Sequence, residues 1–383
     1  MSAIGERLAS ELEAPLGQRR FGSGWFAGFF ALVLAIAGFC LVVALRWPDW
    51  FATPELERLQ ANALFRPAVH LILLASYALA LLNLLLRPNK VLGFCALAIG
   101  ISAILLGGAN VQPREMASWG IFFGVDFFAV NMVASGLMFA PIERIWPHRG
   151  GQRLFRPEWR EDLFYYLVSS MMVQVLTFLA LAPSKEVMAH TGGFAAFRAG
   201  IASLPFLVQL PIIMLLTDLF QYWLHRTFHR IPWLWKFHAV HHSAKSMDWL
   251  AGARMHFLEI IALRGFTALP LLTLGFSPAA MQAYIALVYI YSSLVHANLR
   301  GDFNRLGRWL VTPRYHHWHH GLEAEAVDVN FAVHFPMLDR LFGTYHFPPS
   351  RWPDGYGVPE AVPHGYWAQF AYPFRRKRVA ANS

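Results

Sequence analysis

The sequence predicts an all-α, polytopic membrane protein whose histidine-rich part faces the cytoplasm. Three observations predict it: apolar runs long enough to cross a bilayer, an uneven distribution of Lys and Arg between the loops joining them, and histidines at helical spacing near the ends of the later runs. The 383 residues are 56% hydrophobic and 14% charged, too apolar for an ordinary soluble domain.

The spans come in order along the chain. Trp25 to Trp47, Val69 to Leu86, Val91 to Ala109 and Ile121 to Ile142 are each long enough to cross, and Leu163 to Ala182 and Leu204 to Leu224 precede the histidine region. The first follows a polar N-terminal segment, is too long for a signal-peptide core and has no small-residue cleavage site after it, so it reads as a retained helix. A further apolar stretch, Ile260 to Val295, contains Pro270 and the turn-like "GFSPAA" at 275–280, which predicts two helices of about 15 residues, each short for a full crossing. This reads as a spanning or re-entrant hairpin that returns His296 to the side of His225.

Charge sets the orientation. Arg7, Arg19 and Arg20 precede the first span, Arg87 and Lys90 follow the second, and Arg144, Arg149, Arg153, Arg156 and Arg160 follow the fourth. The intervening loops are poorer, with Arg58 and Arg66, then Arg114, then Lys185 and Arg198. The basic loops belong on the cytoplasmic side, together with both termini and the histidine region. The formal charge of +9 is spread over these loops rather than over one basic face, so topology accounts for it and nucleic acid is not an expected partner. "RRKR" at 375–378 reads as a topological signal or a contact with anionic headgroups.

Two features are set aside. "GSGWFA", Gly22 to Ala27, fits a dinucleotide fingerprint formally but opens a membrane helix with no preceding strand. Cys40 and Cys95 fall inside spans, so neither a disulfide framework nor a thiolate metal site is available.

Of the 17 histidines, eleven lie between His225 and His320. His225 and His229 are four apart; His238, His241 and His242 are spaced i, i+3, i+4, and His316, His319 and His320 repeat that spacing. Such positions share a helix face, so each group is expected to converge on one point. A lone histidine at a membrane surface is a capping or interfacial side chain, the reading given to His70, His148, His190, His346 and His364. Two triplets and a pair point instead to metal, since neutral imidazole is the commonest metal ligand and clustered imidazoles repel once protonated. Eight or nine nitrogens exceed one coordination sphere, which predicts two ions. Imidazole alone suits zinc, iron, copper and nickel. A membrane-embedded site with lipid access and inert C–H bonds favours iron, with O2 as co-substrate, over a Lewis acid, though zinc is expected to load readily in recombinant protein.

"HRTFH", "HAVHH", "HANL" and "TPRYHHWHH", followed by "DVNFAVHFPMLDRLFGTYH", resemble the histidine boxes of the fatty acid hydroxylase superfamily, also called the sterol desaturase family. The resemblance covers about residues 155 to 347 and implies a membrane-bound di-iron oxygenase acting on lipids with O2 and externally supplied electrons. Carried over position by position, it implies metal ligands at His225, His229, His238, His241, His242, His296, His316, His319 and His320. His256 in "RMHFLE" resembles the family's histidine-proline element, with Phe257 in place of the proline, and is a further candidate. His317 falls between expected ligands. Asp218, Asp328, Asn330 and Asp339 are candidates to hold imidazole N–H groups in place.

These readings divide the chain into a cytoplasmic segment over 1–24, a three-helix membrane region over 25–110 with no assigned role, a catalytic membrane and di-metal domain over 119–347, and a basic cytoplasmic tail over 348–383. The leading function is lipid hydroxylation, with desaturation on the same site as its neighbour and a non-redox metal-binding membrane protein as the alternative class. Histidines gathered at one membrane face argue against a transporter, whose ligands would line successive spans near the midplane. No haem module, flavin motif or iron–sulfur cysteines accompany the boxes, so a separate donor of ferredoxin or cytochrome type is expected.

Overall fold

The structure is a computed structural model that describes residues 3–19, 25–48, 61–112, 125–171, 182–183, 186 and 194–375. Among the described residues it is all-helical, with a single isolated β-bridge between Gly321 and Tyr356. Among the described residues, six helices are long and apolar enough to cross a membrane: Trp25–Arg46, Phe65–Leu86, Val91–Asn110, Phe206–Arg230, Phe257–Leu274 and Pro278–His296. The chain is a multi-pass integral membrane protein.

It divides into two compact units. The first runs to Pro157, with Ser170–Gln174, and holds α1 (Ala3–Leu12), α2 (Trp25–Arg46), α3 (Phe65–Leu86), α4 (Val91–Leu105) and α5 (Val125–Ile145). Helix α2 is its centre, burying Trp25, Phe29, Ala31, Leu32 and Ala35 in a core shared with Ala80 of α3 and Leu92 and Ala96 of α4. Small and polar residues draw these helices together, as membrane packing requires. A Cβ on Gly28 would lie 2.8 Å from Asn83 Cγ, so only glycine fits there. Asn83 Oδ1 accepts from the Gly93 amide at 3.0 Å, and Ser76 Oγ donates to the Ala31 carbonyl at 2.9 Å. The predicted fourth span is described from Val125 onwards; 121–124 lie outside the described residues.

The second unit comprises Glu158–Ser169 and the chain from Val175. Its first element lies in α6 (Trp159–Met171); the remainder of the predicted span to Ala182 falls mostly outside the described residues. Then come α7 (Ala195–Ala202), α8 (Phe206–Arg230), α9 (Pro232–His242), α10 (Phe257–Leu274), α11 (Pro278–His296) and α12 (Pro313–His319). Proline opens three of them, at 232, 278 and 313, where its missing N–H has no intrahelical partner to lose. Ser277 and Thr312 cap α11 and α12 through their side-chain oxygens.

The α10–α11 hairpin is longer than its sequence suggests. The two helices have 18 and 19 residues, both long enough to cross, because Pro270 stays inside α10 instead of ending it. In a bilayer, ending a helix exposes several backbone groups to hydrocarbon, whereas an internal proline frees only one carbonyl. The helix stops instead at Gly275, whose φ of 80° is the left-handed conformation that ends helices. The basic run at 375–378 is described only at Arg375.

Candidate metal centre

The nine predicted ligands come together. Their side chains project from the C-terminal ends of α8 and α11, from α9, and from α12 with His320 just beyond it. They form two groups: His225, His229, His238, His242 and His319 in one, His241, His296, His316 and His320 in the other, each offering nitrogens within 4.8 Å of one another.

Neither triplet converges on one point, contrary to the sequence expectation. In both, positions i and i+4 share a group while i+3 crosses to the other: His238 and His242 against His241, His316 and His320 against His319. The helix explains the split. At about 100° per residue, i+4 points roughly 40° to one side of i and i+3 roughly 60° to the other, leaving i+3 and i+4 about 100° apart. Helices α9 and α12 therefore each lend one imidazole to the opposite group.

Six of the nine Nδ1 atoms are tied outward. His225 Nδ1 lies 3.0 Å from the Phe331 carbonyl, His241 Nδ1 2.9 Å from that of Arg254, His296 Nδ1 2.7 Å from that of Ser292 and His319 Nδ1 2.8 Å from that of Val329. His238 Nδ1 lies 2.5 Å from Glu259 Oε1, and His229 Nδ1 3.4 Å from Asp328 Oδ1. A carbonyl only accepts, so these contacts assign the proton to Nδ1 and leave Nε2 with its lone pair.

Those lone pairs then face one another. In the first group His225 Nε2 lies 2.9 Å from His238 Nε2; in the second, His296 Nε2 lies 3.3 Å from His241 Nε2. Two acceptors at this distance form no hydrogen bond, and His229 Nε2 and His319 Nε2 are buried with no partner at all. Protonation does not resolve the conflict. Burial, reinforced by neighbouring imidazoles, holds His241, His242, His316 and His320 well below the ordinary histidine range, and burial takes His319 down to about 3. Neutral, buried, convergent lone pairs fit a cation in each group.

The remaining predicted residues do other work. His256 joins neither group: its Nδ1 accepts from the Leu258 amide and caps α10, and its Nε2 donates to the Phe370 carbonyl at 3.0 Å. His317 faces away, donating from Nε2 to the His296 carbonyl at 3.2 Å and accepting at Nδ1 from Tyr356 Oη at 2.8 Å. Of the four polar candidates, only Asp328 reaches a clustered imidazole side chain. Asp218 accepts the amides of Val333, His334 and Phe335 at 2.6–3.1 Å. Asp339 accepts those of Phe331 and Ala332, the Thr344 hydroxyl and Tyr315 Oη. Asn330 bridges the Tyr315 and His346 backbones. These three hold the 330–335 segment, and through it the Phe331 carbonyl, against His225. Carboxylates so deeply buried serve where several N–H groups lack another acceptor.

The sequence reading missed two contributors. Glu259 is a buried acid in the first turn of an apolar helix, and that placement alone marks it as a partnered group. Arg254, 1% exposed, is gripped by Asp162 at 2.5 Å and Glu158 at 3.2 Å, fixing the segment whose carbonyl holds His241. Phe331 packs its ring on His225, His229 and His319, and Trp235 on His229 and His242, so the first group is walled by aromatic carbon.

Residues 210–344 match the family model described as fatty acid hydroxylase. The chain is 26% identical over 261 residues to the ornithine lipid hydroxylase of Rhizobium tropici, covering 67% of this chain and 77% of that protein. It is 31% identical over 128 residues to the alkylglycerol monooxygenase of Danio rerio, covering 33% of this chain and 28% of that protein. It is 28% identical over 194 residues to a putative methylsterol monooxygenase of Dictyostelium discoideum, covering 49% of this chain and 69% of that protein. No solved structure matches the chain.

Proposed function

We propose, for a chain that belongs through residues 210–344 to the fatty acid hydroxylase superfamily, that it is a di-iron oxygenase hydroxylating a C–H bond of a membrane lipid. The observation that carries this reading is the pair of imidazole groups with lone pairs turned inward. Five nitrogens in one group and four in the other suit two adjacent ions. His225, His229, His238, His242 and His319 would hold one, and His241, His296, His316 and His320 the other. Bound iron would supply the electron-transfer chemistry with O2 that an unactivated C–H bond requires.

The chain's own residues prepare the site. Glu259, Asp328 and the carbonyls of Phe331, Arg254, Ser292 and Val329 fix the orientation of six of the nine rings and keep Nε2 of those six unprotonated, the usual task of groups behind metal-bound histidines. Phe331 and Trp235 exclude water from one side. One oxygen atom of O2 enters the lipid and the other leaves as water, with both electrons arriving from a separate ferredoxin- or cytochrome-type donor. The names of the relatives, hydroxylases and monooxygenases, favour oxygen insertion over desaturation. On this reading the catalytic domain is 119–347, and the basic loops place the site and both termini on the cytoplasmic side.

The test is lipid analysis of membranes from one host with and without the chain, grown under isotopically heavy O2. The expected result is a lipid heavier by one labelled oxygen. A product lacking two hydrogens and carrying no label would identify a desaturase instead, and an unchanged lipid profile would defeat both.

A further inference from the structure

The N-terminal unit carries a composite cavity of its own. One part, of about 910 Å³, is apolar and is lined by Phe26 and Phe30 of α2, Ile142 and Ile145 of α5, and Trp146. The other, of about 600 Å³, is polar and is lined by Glu13, Arg19, Arg144 and Arg153. Leu16 and Arg19 line both, so the two parts meet at the Arg19 guanidinium.

The charges there do not balance. Three guanidiniums line the polar part with one carboxylate, and that carboxylate is committed: Glu13 pairs with Arg144 at 3.3 Å and accepts the Phe155 amide at 2.7 Å, while the buried Glu143 beside Arg144 brings the negative charges to two. Arg19 is 6% exposed, yet its contacts among the described residues are the carbonyls of Ala14 and Arg144, with no carboxylate. Arg144 Nε is buried with no hydrogen-bond partner. Burial, then the neighbouring Arg144, lowers Arg19 to about 10, with Glu13 opposing the shift but not reversing it. A buried guanidinium pair with surplus charge and an open donor calls for an anion presenting several acceptor oxygens. Beside the apolar cavity, at the ends of two membrane helices, that anion belongs to an amphiphile.

We propose that the N-terminal unit binds one anionic phospholipid, its phosphate against Arg19, Arg144 and Arg153 and an acyl chain between Phe30, Ile142 and Trp146. The site gives Phe26 and Phe30, in the three-helix region that the sequence reading left without a role, a part in binding a ligand. A lipid held there is also part of the fold, since it offsets positive charge that the protein's own carboxylates leave in excess.

The experiment uses the full chain, delipidated in detergent, with native mass spectrometry following phosphatidylglycerol, phosphatidylcholine of the same acyl chains, and inorganic phosphate. A diazirine on the phosphatidylglycerol chain locates the contact by peptide mapping. Phosphatidylglycerol should be retained about tenfold over phosphatidylcholine, roughly one decade in affinity, and label the peptides containing Phe30 and Ile142. Arg153→Gln, at an exposed position, and Ile142→Trp, which fills the apolar part, should each lower retention while leaving the unfolding temperature of lipid-free protein unchanged. Arg19→Gln should lower it most; if that variant does not fold, the other two decide. Equal retention of the two lipids, meaning annular lipid only, would overturn the proposal. Labelling elsewhere, or displacement by inorganic phosphate without lipid preference, would overturn it equally.

Discussion

Glu259 Oε1 lies 2.5 Å from His238 Nδ1, with both side chains buried. His238 Nε2 in turn lies 2.9 Å from His225 Nε2 and 3.0 Å from His242 Nε2 within the five-membered group. One carboxylate therefore sets a ring that two other members of the group approach.

Removing it should loosen the metal more than the fold. Glu259→Ala is expected to lower metal affinity by about 10- to 100-fold, and Glu259→Gln, which keeps an acceptor oxygen, by clearly less. Competition with a chelator measures this. An alanine variant with wild-type affinity would show that the carboxylate does not position His238.

The last histidine box separates ligation from packing. His316→Ala, His319→Ala and His320→Ala each remove a nitrogen from a group, so metal content and lipid conversion should fall to background. His317→Ala removes no nitrogen from either group; it loses hydrogen bonds to the His296 carbonyl and Tyr356 and a ring contact with Trp352, and should retain metal and most activity, within about tenfold, since lost neutral hydrogen bonds are worth about 0.5–1.5 kcal/mol each. Equal metal content and activity across all four variants, at matched membrane levels, would refute the assignment.

Asp218 tests the loop behind the site. Asp218→Ala would leave three amides, one buried and two part-buried, without their acceptor, at a cost of about 1–3 kcal/mol for a buried one left unsatisfied. The variant should unfold at lower temperature and bind metal poorly, because the loop carries the Phe331 carbonyl that fixes His225. Unchanged thermal stability would remove Asp218 from this role.

Sidedness follows from the arginines. In a variant lacking Cys40 and Cys95, single cysteines near Arg7 and near His238 should react with an impermeant thiol reagent only from the cytoplasmic side, and one near Arg58 only from the other. Labelling near Arg58 and near His238 from the same side would contradict this topology.

The sequence carries its spans openly because a bilayer demands long apolar runs, and the nine imidazoles because helical spacing leaves few other uses for them. How those nine divide was not legible: spacing gives the angle between His238, His241 and His242 on one helix, not which neighbouring helix each will meet. Backbone acceptors such as the Phe331 and Arg254 carbonyls leave no trace in residue identity. Asp218 and Asp339 looked like partners for imidazole, yet the donors that reach them include the amides of an irregular segment, and Asn330 instead ties the Tyr315 and His346 backbones together. Glu259 was visible as an acid in an apolar helix and needed only the question of what would neutralise it.

The most direct test counts metal in active protein. Chains purified under conditions that preserve lipid conversion, analysed for iron and zinc against protein concentration, should contain two ions each, with iron required for activity even where recombinant protein also loads zinc. Fully active chains holding one ion or none would contradict the two-ion site.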